Sequence, residues 1–202
     1  MASSGEPAPK YASFIVLVIV IVSIIGAALA ALLISAGVFN VAGDQPHTKP
    51  VAWLMQMARD RSIAVRATGI IVPADLDNAK RIKAGAAEYG EMCAMCHLGP
   101  GVERSEISQG LYPPAPELAH DHRLSTTEQF WIVKHGIKMT AMPAWGVTHD
   151  DEILWDVVAF LQKLPGFTPD QYRALTRNAA EEHERMGGHG ATAHDSIPGM
   201  NH

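Results

Sequence analysis

The sequence predicts an all-α chain, with an N-terminal transmembrane helix and further helices flanking one small domain. Three observations carry that expectation. Residues 12–39 hold almost no polar side chains, a run longer than the roughly 20 residues a helix needs to cross a bilayer. The periodic stretches beyond it have helical spacing, with capping residues and glycine or proline stops in place. The only two cysteines close one of those helices, as Cys93-Ala94-Met95-Cys96-His97.

Residues 1–11 form a short polar start ending near Lys10. The apolar run from Ala12 to Val38 is interrupted only by Ser13, Ser23, Gly26, Ser35 and Gly37. A cleaved signal peptide is the competing reading, and Ala28-Leu29-Ala30 imitates a cleavage site, but its apolar region would span only about 7 to 15 residues. A retained anchor is preferred. Lys10 and the amino terminus precede the span and Asp44 follows it, so the amino terminus is expected in the cytoplasm and the bulk of the chain outside it.

Residues 40–78 read as a linker. Gly43, Pro46 and Pro50 mark the exit from the membrane. Val51 to Arg66 then sets Trp53, Leu54, Met57 and Val65 among Arg59, Asp60, Arg61 and Arg66, a short amphipathic helix. Packing within the protein is its preferred role; the alternative is the membrane surface, with the arginines toward lipid phosphates. Ile70 to Pro73 form an extended connector, and Asp77 or Asn78 can cap the next helix.

A domain is expected over residues 79–166. The helix from Ala79 to Met95 places Gly85, Tyr89 and Cys93 four apart, along one side. Gly85 would let another helix cross closely. Leu98 to Arg123 is rich in Gly, Pro and polar residues and reads as loop. Ser125 and Glu128 make a capping box for a helix from Thr126 to His135, stopped by Gly136. Thr148 with Asp151 starts a last domain helix. Its wide apolar face of Ile153, Leu154, Val157, Val158, Phe160 and Leu161 is the natural partner of the Gly85 face, and Pro165-Gly166 ends it. Residues 167–186 form one more, mostly polar helix begun by Thr168, Pro169 and Gln171, an exposed extension or a docking arm. Residues 187–202 read as a flexible tail.

The spacing Cys-x-x-Cys-His is that of a c-type haem attachment site. On a helical turn the two sulfurs share one face, at a reach that suits thioether bonds to the haem vinyl groups, and His97 is left to the iron. A zinc site would need further paired Cys or His, and a redox dithiol has no need of the trailing histidine. The segment from Gly136 to Gly146 supplies a thioether on a proline-fixed loop, which an iron held by His97 lacks. A net charge of −5 and a pI near 6.0 argue against nucleic acid as a partner and leave room for a basic docking protein.

Together these residues resemble the class I c-type cytochromes, in the bacterial monohaem form carried on an N-terminal membrane anchor. The likeness covers Ala79 to Pro165. It rests on the helix with Gly85 and Tyr89, the Cys93 to His97 site, Met142-Pro143-Ala144-Trp145, and the closing helix from Trp155 to Leu161. It implies one covalent haem c held by Cys93 and Cys96, with His97 as proximal and Met142 as distal ligand. Pro100 would lend its carbonyl to the His97 ring proton. Met139, His120, His122 and His135 compete for the distal position. Trp145 and Tyr112 are expected as pocket walls.

The function so implied is single-electron transfer in a respiratory chain, on the periplasmic side of a bacterial inner membrane. The chain would be either a tethered carrier or the haem c subunit of a larger oxidase, reductase or dehydrogenase, and not an enzyme by itself. Partners are then the membrane and redox proteins. The alternatives are a gas-binding sensor, in which Met142 leaves the iron, and copper handling through His189, His194, His202, Met186 and Met200. A solvated tail is preferred to copper, because no fixed histidine spacing recurs there.

Overall fold

The computed structural model describes residues 10–120 and 123–185. It is all-helical, with no strand among the described residues, and divides after Gln45 into two units. The first holds α1 (Lys10–Ser35). From Tyr11 to Ser35 this helix is long and apolar enough to cross a membrane, and none of it is buried in the protein. Two of its hydroxyls are satisfied within the helix, Ser23 Oγ donating to the Ile19 carbonyl at 2.8 Å and Ser35 Oγ to that of Leu32 at 3.0 Å, which suits a water-free surrounding.

The second unit begins with α2 (Lys49–Arg66), which buries Ile63 and, just beyond its end, Ala67. The helix thus packs within the protein along one side, as expected, but its opposite side is uncovered. Next comes α3 (Ala79–Glu88), capped by the Asn78 side chain, which accepts from the Lys80 backbone N–H. A π-helical turn over Tyr89–Cys93 and the short α4 (Ala94–His97) complete the stretch that the periodicity predicts as one continuous helix. Within the expected loop 98–123 lies α5 (Glu106–Gly110), capped by Ser105. The Ser125/Glu128 capping box starts α6 (Thr126–His135). The cap of α7 (Asp151–Lys163) is Asp150 rather than Thr148, its carboxylate accepting from the Ile153 N–H. A 3-10 turn over Leu164–Gly166 leads to α8 (Pro169–Arg185).

The organising contact is the crossing of α3 and α7. A β-carbon placed on Gly85 would lie 1.8 Å from the Asp156 carbonyl oxygen, so the two backbones meet at a distance only glycine allows. Arg81 ties the crossing together, with Nη1 2.7 Å from Asp156, Nη2 2.7 Å from Glu152 and Nε 2.9 Å from Asp75. Helix α7 serves two cores. Val157 and Phe160 join Ala86, Tyr89, Cys93, Leu164 and Tyr172. Leu154, Trp155 and Val158 join Phe130 and Val133, with the Phe130 and Trp155 rings stacked at 4.0 Å. Helix α8, expected as an extension or docking arm, contributes buried Tyr172 to the first of these cores.

Candidate haem attachment site

The site begins where α3 changes pitch. In the π turn the Ala94 N–H bonds to the Tyr89 carbonyl, five residues back, a geometry that gathers at functional positions. Tyr89 is fully buried, and its hydroxyl donates to the Leu98 carbonyl at 2.6 Å. The stretch carrying both cysteines and His97 is therefore tied at each end. Cys93 is buried and Cys96 half-buried, and neither is in a disulfide. Burial first, then the charges of Glu88 and Cys96, pushes the Cys93 thiol up to about 12. That is the reverse of the lowered value that makes a dithiol reactive in exchange.

His97 is held by its δ nitrogen, 2.9 Å from the carbonyl oxygen of Pro116. As the Nδ1–H donor it presents Nε2 as the free ligating atom. The resemblance assigned this carbonyl to Pro100, and the structure corrects that. After His97 the chain turns sharply at Leu98 (φ 60°). Gly99 then comes to lie under the Tyr172 ring and Gly101 against Pro169. The segment around Pro100 is thus committed to α8, while the chain returning from α5 brings Pro116 to the imidazole. Burial lowers the His97 basicity and the Pro116 carbonyl acts against that shift.

The methionine loop is built from Gly136, whose φ of 64° and lack of a side chain let it lie against Met142 O and Pro143 C, each 2.7 Å from where its β-carbon would be. The Ile137 N–H donates to the Met142 carbonyl at 3.2 Å. Thr140 Oγ1 accepts from the Met142 N–H at 3.1 Å and donates to the Ile137 carbonyl at 2.7 Å. Met142 is half-buried against the Phe130/Trp155 core, and Trp145 packs on the same core. Met139, three residues earlier, is 80% exposed.

The remaining candidates fall elsewhere. His135 is exposed and lies against Trp131, ring centroids 4.9 Å apart. His120 is exposed at the rim of the cleft that His97 lines. Tyr112 accepts a 2.7 Å hydrogen bond from the His47 backbone N–H. His122, Met186, His189, His194, Met200 and His202 lie outside the described residues. Among the described residues no three His, Cys, Asp or Glu side chains converge on a site for a metal ion, so Cys93, Cys96 and His97 find no fourth partner for zinc. Two unpaired thiols on one turn, an imidazole with one nitrogen already engaged and a buried-side thioether are instead the donor set that suits a covalent haem.

The family model described as cytochrome c oxidase, cbb3-type, subunit III matches residues 80–161. Residues 80–161 are a class I c-type cytochrome domain. The domain takes haem c as a covalent cofactor, and its chemistry is electron transfer. No curated protein and no solved structure matches the chain. The cytochrome match covers less than half of the chain and stops short of α8. Tyr172, Pro169, Thr140 and Pro116 went unread in the sequence as parts of the site. Only Pro116 carried a signal, as one of four prolines in the stretch from Leu98 to Arg123 that reads as loop.

Proposed function

We propose that this chain is a membrane-anchored monohaem cytochrome that passes single electrons, with Cys93 and Cys96 in thioether linkage, His97 as proximal ligand and Met142 as distal ligand. The observation that carries this reading is the imidazole of His97 oriented by the Pro116 carbonyl on the turn that holds both cysteines; Met142, its backbone pinned by Thr140 and Ile137, is the thioether proposed to complete the set. The bound haem supplies one redox centre that cycles between ferric and ferrous iron. The chain supplies orientation and dryness. Pro116 fixes the tautomer of His97, Thr140 fixes the loop on which Met142 stands, and the two cores on α7 exclude water from the cysteine side and the methionine side. With His97 and Met142 both holding the iron, the site would change oxidation state with little rearrangement and would leave no place for a substrate.

The domain division proposed is an anchor over 12–39, a linker over 40–78, the cytochrome domain over 79–166 and α8 packed on it. Lys10 before the span and Asp44 after it support an outward-facing cytochrome domain, periplasmic in a bacterial inner membrane. The anchor would confine the carrier to two dimensions, raising its concentration near membrane donors and acceptors. A second form of the reading makes the chain a resident subunit of a larger complex. The description of the matched family, an oxidase subunit, favours that form.

The test is mild detergent extraction of native membranes, followed by haem staining and mass spectrometry of what migrates with the chain. Co-migration with oxidase, reductase or dehydrogenase subunits is expected of a resident subunit. Migration alone, with a reducible haem, is expected of a tethered carrier. A chain recovered without haem, or in the soluble fraction, would contradict the proposal.

A further inference from the structure

Helix α2 presents more apolar surface than the domain covers. Ile63 and Ala67 face inward, and on the helical wheel Ala52 and Arg59 share their side. Everything large and apolar in the first half of the helix is left out: Val51 is 44% exposed, Trp53 63%, Leu54 54%, Met55 39% and Met57 47%. At 100° per residue these five spread over about 200°, a little more than half the circumference. A single partner helix covers a narrow seam; a fluid surface covers a girdle of this width.

Charge is distributed along the same helix. The apolar residues occupy 51–57, and Arg59, Arg61 and Arg66 follow in the second half. Arg59 is neutralised by Asp60 at 2.8 Å. Lys49, Arg61 and Arg66 form no ion pair among the described residues, in a chain whose net charge is −5. Arg61, Arg66, Met57 and Val65 line one shallow open groove on the uncovered side. Only residues 36–48 join this helix to the end of α1.

We infer that α2 is an interfacial helix that docks the cytochrome domain on an anionic bilayer surface, with Val51, Trp53, Leu54 and Met57 in the acyl boundary and Lys49, Arg61 and Arg66 on lipid phosphates. Such a helix buries its apolar part about 5–10 Å deep, Trp53 is of the type that collects at that level, and each basic residue strengthens binding to anionic lipid about fivefold. This inference rests on the reading of α1 as a membrane anchor. It gives the linker a task, setting the height and orientation of the haem domain above the membrane.

The test uses the full holoprotein in vesicles of phosphatidylcholine, with and without one-third phosphatidylglycerol. Nitroxide labels are placed singly at Leu54→Cys, at Ile24→Cys within α1 and at Glu106→Cys as an aqueous reference. Cys93 and Cys96 are closed to the label by their thioethers. Accessibility to oxygen against a water-soluble nickel chelate then reports depth. The expected result is a Leu54 label immersed in the anionic vesicles, with Arg61→Gln and Arg66→Gln each reducing the ratio of immersed to aqueous label about fivefold. A Leu54 label as aqueous as that at Glu106 would overturn the inference, and so would one shielded from both reagents, as in a contact between copies. The Ile24 label is read separately: an aqueous Ile24 sinks the anchor reading, whereas an immersed Ile24 beside an aqueous Leu54 sinks the interfacial helix alone.

Discussion

The ring of Tyr172 fills the space that a side chain on Gly99 would need: a β-carbon there would lie 2.3 Å from Cζ. Gly99 stands two residues after His97, and Tyr172 belongs to α8, beyond the matched segment. With the Tyr89 hydroxyl on the Leu98 carbonyl, the turn leaving His97 is clamped from two helices. Gly99→Ala should therefore cost about 1–3 kcal/mol, the range for overpacking a filled core. Tyr172→Ala should cost more by itself yet relieve the clash. Chemical denaturation of the holoprotein in a double-mutant cycle checks this, and a coupling of 0.5 kcal/mol or more is expected. Strict additivity would contradict the contact.

Gly85→Ala attacks the α3–α7 crossing directly. Its added carbon would overlap the Asp156 carbonyl, backbone that has no rotamer to give. The loss should reach about 3 kcal/mol, and less haem-stained protein should accumulate. A melting temperature equal to the parent's would show that the helices are farther apart than described.

Arg81 makes a pH-dependent prediction. Burial raises the Asp156 carboxyl above its ordinary 3.8, with Arg81 acting against that shift. Removing the guanidinium in Arg81→Met leaves the half-buried carboxylate without its cation, so its folded-state value rises further. A group raised on folding contributes most below its unfolded value and loses that contribution as pH climbs through the folded one. The variant should thus lose about 2 kcal/mol at neutral pH, and the deficit should shrink toward about pH 4. Denaturation midpoints at the two pH values check it; a deficit that grows in acid would contradict the account.

These predictions divide by what a single chain makes legible. The attachment site, the Gly85 crossing, the Ser125/Glu128 box and the glycine stop after His135 are local signals, each tied to one bond or one dihedral, and all were readable. The π turn was not, because Tyr89, Gly90 and Glu91 suit an ordinary helix and the extra residue is set by packing. The role of Pro116 was hidden because a backbone carbonyl carries no side-chain signature, and its choice over Pro100 depends on α8 holding Gly99 and Gly101. Helix α8 itself looked solvent-exposed, since its mostly polar sequence hides a single ring, Tyr172, that does the anchoring. The Asp150 cap was missed for a simpler reason: Thr148 and Asp151 satisfy the same three-residue pattern, two positions out of register.

The most direct measurement is a potentiometric and optical comparison of Met142→Ala with Met139→Ala in the purified holoprotein. Met142 is packed on the Phe130/Trp155 core and pinned by Thr140, whereas Met139 is 80% exposed. A thioether ligand favours ferrous iron and fills the sixth position. Met142→Ala should therefore lower the reduction potential and open the iron to carbon monoxide, while Met139→Ala leaves the parent spectrum and potential in place. The reverse order, or equal effects from both, would contradict the assignment on which the electron-transfer reading rests.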